Sequence, residues 1–158
     1  MIIETQLDNA DFYFDLWKEH RAKIKEDHEV QFNSIGFDIG YKDLPAWYHD
    51  NIREDFSKAT KQKLDKIIHC WGIDYLDGGY QTAHRHGPNT WNSILFFDEQ
   101  PRSDKMDTLN GLTWFIDGET SRNIAPEFGK LIMFTNDVWH GVYPCKAPRR
   151  SFMVDFKR

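Results

Sequence analysis

From Ile67 onward the chain is a succession of short apolar stretches, rich in β-branched and aromatic residues and separated by Gly, Pro, Asn and Asp. They fall near 67–75, 79–86, 91–97, 112–117, 130–135, 138–143 and 150–156. Short strands at such even spacing close into a sandwich or barrel, which leaves few free sheet edges. The segment before residue 67 has a different pattern. Phe12, Leu16 and Ile24 recur at roughly helical spacing behind Asp8, a residue suited to an N-cap. Val30, Phe32, Ile35, Phe37 and Ile39 read as one or two short strands broken at Gly36 and Gly40. The stretch 44–48 reads as a turn. A second helix is expected from Asn51, with Glu54 completing a loose capping box and Ile52, Phe56, Ala59 and Leu64 facing the core. No repeat, low-complexity segment or linker divides the chain. The expectation is one domain over 1–158: a helical and mixed buttress over 1–66 and a β-domain over 67–158.

A chain of 158 residues can bury roughly 70% of its unfolded surface, so it needs no disulfide. Its two cysteines, Cys70 and Cys145, are accordingly expected to be reduced and structural. The net charge is −5, and Lys58, Lys61, Lys63 and Lys66 alternate with acidic and polar residues as on a solvated helix face. Nucleic-acid binding is disfavoured, because phosphate recognition needs clustered Lys and Arg. The first eight residues lack the basic-then-apolar pattern of a secretory leader. No apolar run reaches the ~20 residues of a membrane helix. A cytoplasmic location is the default expectation.

The chemistry concentrates in Gln81-Thr82-Ala83-His84-Arg85-His86. Residues two apart on a strand share a face, so His84 and His86 would project their imidazoles together. His140 follows an apolar strand at 130–134 and begins another. Two histidines from one strand and a third from a late strand make the facial three-ligand arrangement of non-haem iron proteins, which keeps positions open for cosubstrate and oxygen. Imidazole suits Fe(II), Zn, Cu and Ni alike, so donor type does not select the metal. Further on, Arg149 and Ser151 share one strand face, while Arg150 shares the other with Phe152, Val154 and Phe156. A buried arginine presents a planar fork that binds a carboxylate bidentately. Alternation favours Arg149 with Ser151 as the polar, pocket-facing pair.

These segments resemble the 2-oxoglutarate- and Fe(II)-dependent oxygenases, and more closely a subgroup marked by Gln-x-x-His-x-His. The resemblance spans roughly 71–156. It continues through Trp91–Phe97, Gly129–Phe134, Trp139–Val142 and Arg149–Ser151. It implies a mostly β fold with N-terminal helices, the core being a double-stranded β-helix (jelly roll, cupin-like). It implies His84 and His140 as iron ligands, with His86 standing where the wider family has Asp or Glu. It implies Arg149, or Arg150 ten residues after His140, as the group binding the distal carboxylate of 2-oxoglutarate, assisted by Ser151 and with Tyr80 or Asn92 near the cosubstrate. The implied cofactors are Fe(II) and 2-oxoglutarate, and the implied activity is hydroxylation of a small-molecule or peptide substrate. Three neutral imidazoles leave such a site one negative charge short. Asp98, Glu99, Asp107 and Asp117 lack the spacing that would supply a carboxylate directly. Two alternatives stand beside this reading: a three-His cupin-like dioxygenase or isomerase that ignores 2-oxoglutarate, and a non-catalytic jelly-roll binding module. Trp71, Trp91, Trp114 and Trp139 are read as core more readily than as pocket, and Asp98–Asn110 as a solvated loop rather than a lid.

Overall fold

Alternating apolar residues over the second half of the chain build two antiparallel sheets, described here from a computed structural model covering residues 1–25, 29–39, 45–101 and 109–158. The order is β1 (Ile2–Gln6), α1 (Ala10–Arg21), β2 (Ser34–Asp38), α2 (Ala46–Thr60), β3 (Ile67–Tyr75), β4 (Gln81–His84), β5 (Thr90–Phe96), β6 (Thr113–Asp117), β7 (Thr120–Ile124), β8 (Lys130–Thr135), β9 (Trp139–Val142) and β10 (Arg149–Lys157). The larger sheet runs β1-β8-β5-β10-β3-β2 and the smaller β4-β9-β6-β7. From β3 to β10 the chain passes back and forth between them, which is the winding of a double-stranded β-helix. β1 and β2 extend the larger sheet at its two edges.

The helices cover the outer face of the larger sheet. Tyr13, Leu16 and Trp17 of α1 and Ile52 and Phe56 of α2 pack there with Leu95, Phe152, Val154 and Phe156. The approach is close. A Cβ at Gly72 would stand 2.4 Å from the Phe37 ring and 2.7 Å from Trp17 Nε1, and that indole donates to the Ser151 carbonyl at 3.1 Å. A second cluster lies between the sheets, with Ile94, Phe96, Phe115, Ile132, Phe134 and Met153. Cys70 and Cys145 are buried free thiols. Among the described residues no helix is long and apolar enough to cross a membrane.

Several boundaries differ from those read in the sequence. Helix α1 begins at Ala10 behind Asn9 rather than Asp8, and Phe12 stays partly exposed while Tyr13 and Trp17 take the inner face. Helix α2 begins at Ala46, so most of the expected turn at 44–48 is its first turn; Pro45 precedes it, where a fixed φ and a missing N–H cost nothing. Gly36 lies within β2 rather than breaking it, and Phe32 and Asn33 form the turn with positive φ. β1 and β7 were not anticipated. Both are strongly polar on one face, which hides their alternation. Gly40, Leu44, Asp107 and the middle of the 98–110 stretch lie outside the described residues.

Candidate metal centre

His84 and His140 face each other as register partners on β4 and β9, with ring centroids 4.1 Å apart. His86 comes from the segment beyond β4, which ends at His84 after a register irregularity. The i, i+2 strand argument therefore does not describe how His86 arrives. The three histidines nonetheless converge, each offering a nitrogen within 4.8 Å of the others. His86 Nε2 and His140 Nε2 are 3.3 Å apart. Two nitrogens bound at right angles to one ion at about 2.1 Å would be about 3 Å apart.

The hydrogen bonds behind the rings decide which nitrogens face inward. His84 Nδ1 lies 2.8 Å from the Thr82 carbonyl, His140 Nδ1 lies 3.3 Å from the Val138 carbonyl, and His86 Nδ1 lies 3.0 Å from the Asp155 carboxylate. Carbonyls and carboxylates only accept, so each Nδ1 carries the proton. In a neutral imidazole the remaining Nε2 is then a bare lone pair. Three lone pairs aimed at one small volume repel unless a cation or proton sits between them. Burial, then the neighbouring His84 and His86, push the His140 imidazole down to about 2, and burial also lowers His84. Both groups are thus neutral donors near neutral pH, the form a metal takes.

The rings are held by packing. Phe115 stacks on His140 at 6.0 Å and Phe134 meets it at 4.6 Å. The glycine of the Trp-His-Gly segment has a steric cause: a Cβ on Gly141 would stand 2.4 Å from Trp114 Cζ2 and 2.8 Å from the Gln81 carbonyl.

A cavity of about 140 Å³ joins the three histidines to Arg149, and Ser151, Thr113, Tyr75, Gln81 and Trp71 line it. Arg149 is only 1% exposed. Its Nε donates to the Gly111 carbonyl at 2.9 Å and its Nη2 to Thr113 Oγ1 at 2.8 Å. The guanidinium lies over the Tyr75 ring at 4.6 Å. No carboxylate among the described residues hydrogen-bonds to it. Burial lowers its affinity for its proton and pushes the Tyr75 phenol up to about 12.

Arg150 points the other way. It forms a two-bond ion pair with Asp98 at 2.8 and 2.6 Å and lies over the Phe14 ring of α1. The structure thus removes Arg150 from the cavity, for the alternation reason that favoured Arg149. Tyr80 is partly exposed, sits against Phe32 and does not line the cavity. Asn92 is buried behind it and donates to Asp155 rather than reaching the cavity. Of the tryptophans, Trp71 lines the cavity, Trp91 joins the helix-side core, and Trp139 is exposed beneath Arg85. Sequence reasoning passed over Tyr75, Thr113 and Asp155. Asp155 carried a legible signal, since it continues the 149, 151, 153 alternation.

No protein-family model matches the chain, and no curated protein does. Solved structures do. A prolyl-4-hydroxylase from Pseudomonas putida matches with a TM-score of 0.71 at 18% identity, over 99% of this chain and 92% of that one. A 2OG-Fe(II) oxygenase family oxidoreductase from Burkholderia pseudomallei matches at 0.65 and 15% identity, over 93% and 76%. The non-haem α-ketoglutarate-dependent epimerase SnoN of nogalamycin biosynthesis matches at 0.76 and 8% identity, over 98% and 76%. The chain therefore has the double-stranded β-helix fold of the 2-oxoglutarate- and Fe(II)-dependent oxygenases. Within that fold it carries a three-histidine group suited to a metal.

Proposed function

We propose that the chain is an Fe(II)- and 2-oxoglutarate-dependent oxygenase that hydroxylates a small-molecule or peptide substrate. The carrying observation is Arg149: a buried guanidinium with only neutral hydrogen-bond partners, in the same cavity as three converging imidazoles. Burying an unpaired charge is costly. The cost is offset when a ligand brings a carboxylate to that end and metal-binding oxygens to the other, and 2-oxoglutarate has that shape. The donor set fits Fe(II), because three imidazoles converge within 4.8 Å of one another and burial keeps His84 and His140 neutral.

When bound, Fe(II) supplies the redox chemistry that couples oxidation of 2-oxoglutarate to succinate and carbon dioxide with oxidation of substrate by dioxygen. The rest belongs to the chain. Arg149 binds the distal carboxylate, and Thr113 and Tyr75 keep its fork aimed into the cavity. Thr82, Val138 and Asp155 hold the Nδ1 protons and so orient the three Nε2 atoms. Phe115 and Phe134 keep water from the His140 side. The match to a prolyl-4-hydroxylase supports an amino-acid or peptide substrate.

The test is calorimetric titration of 2-oxoglutarate into anaerobic Fe(II)-loaded protein, with succinate release measured on admitting air. Stoichiometric binding and succinate formation are expected; metal uptake without either sinks the proposal. That last outcome is what the second reading predicts, a three-His dioxygenase acting directly on its substrate, which the absence of a carboxylate from the three-residue donor group favours.

A further inference from the structure

The three ligand histidines are not held alike. His84 and His140 give their Nδ1 protons to carbonyls two residues back on their own chain segments. His86, the one not on a strand, gives its proton to a carboxylate from the opposite sheet, Asp155 Oδ2 at 3.0 Å. That ion-pair geometry is sheltered, with side chains 14% and 13% exposed. Asp155 is itself pinned: its Oδ1 accepts from Asn92 Nδ2 at 2.8 Å, and Asn92 is 1% exposed and bonded on to Thr90. The chain Thr90–Asn92–Asp155–His86 thus ends on the metal-facing Nε2.

We propose that Asp155 is the positioning carboxylate of this site, which fixes the His86 ring and delivers through it the negative charge that the three-imidazole donor set lacks. This rests on the reading of the three histidines as metal ligands. A carboxylate on the far nitrogen makes an imidazole a stronger donor and fixes its tautomer. Here it lies on β10, where strand alternation puts it on the same face as Arg149 and Ser151. One strand then provides both the cation that takes the cosubstrate's far end and the anion that balances the metal.

The experiment uses Co(II) as the probe on the purified full chain, followed by calorimetry and by its visible absorption, with azide titrated into the Co(II) form. The wild type is expected to bind one Co(II). Asp155→Asn should weaken Co(II) binding by roughly 10- to 100-fold and at the same time tighten azide binding, because the ion loses balancing charge. The visible bands should shift. Asn92→Ala, which leaves the carboxylate but frees it, should weaken Co(II) in the same sense by less, and it serves if Asp155→Asn does not fold. Unchanged Co(II) affinity in a folded Asp155→Asn or Asn92→Ala protein overturns the proposal. So does azide binding that weakens along with the metal, which marks simple structural damage. If the wild type itself takes up no Co(II), the metal reading fails and Asp155's role falls with it. If Co(II) behaves as expected while 2-oxoglutarate does not bind, only the oxygenase reading fails.

Discussion

Two adjacent arginines on β10 meet opposite fates, and the difference sets what each would lose on mutation. Arg149 is enclosed with neutral partners, whereas Arg150 neutralises the 9%-exposed side chain of Asp98. Arg149→Ala should therefore cost about 3 kcal/mol of 2-oxoglutarate binding, roughly 100-fold in Kd, since charged hydrogen bonds are worth about 1.5–3 kcal/mol each. Its folding stability should change little, because an unpaired buried charge leaves with it. Arg150→Ala should do the reverse: unchanged 2-oxoglutarate affinity, and a stability loss of about 1–3 kcal/mol from stranding Asp98. Calorimetric titration and urea denaturation on both variants check the pair; equal loss of 2-oxoglutarate affinity in the two would contradict the assignment. That Arg149 and not Arg150 lines the cavity was legible from alternation alone. The environment of Arg149 was not, because Tyr75 reaches it as a register partner on the paired strand β3 and Thr113 reaches it from the opposite sheet.

At the scale of elements, the site depends on how closely two strands approach their neighbours. β9 carries His140 with Gly141 under the Trp114 ring, and a Cβ there would meet Cζ2 at 2.4 Å. The indole's ring edge and the Gln81 backbone close the space together, so β9 or β6 must move. Gly141→Ala should cost about 1–3 kcal/mol in stability and weaken Co(II) binding, because His140 is displaced from its partners. Adding Trp114→Ala should recover part of the metal affinity; Co(II) titration of the single and double variants decides. A Gly141→Ala protein with wild-type metal affinity would show that β9 tolerates the shift. The Trp-His-Gly segment was legible as the place of a candidate ligand, but the reason for its glycine lies in a tryptophan 27 positions earlier. The His86 position shows the converse. Its spacing from His84 suggested a shared strand face, yet β4 stops at His84, and a cross-sheet carboxylate rather than strand geometry aims the ring.

In the whole molecule the larger sheet separates two functions. Its outer face is filled by α1 and α2, and Phe152, Val154 and Phe156 of β10 pack there. Its inner face looks at the smaller sheet across the three histidines. His84 and His140 belong to the smaller sheet, while His86 is tied to the larger one through Asp155. A bound metal therefore joins the two sheets, and its binding energy becomes stability of the closed β-helix. At a free metal concentration 100 times Kd the gain is about 2.7 kcal/mol, which for a chain of this size raises Tm by roughly 5–11 °C. Scanning calorimetry of the wild type with and without Co(II) should show that rise, and His140→Ala should abolish it. Phe152→Ala lies on the other side of the same strand, and its expected behaviour separates packing from ligation. It should lower Tm by the equivalent of about 3–5 kcal/mol of lost core packing and still gain the full metal increment, because nothing on the inner face has changed. A Phe152→Ala protein that folds but no longer responds to Co(II) would mean that the helix-packed face and the metal centre are coupled through β10.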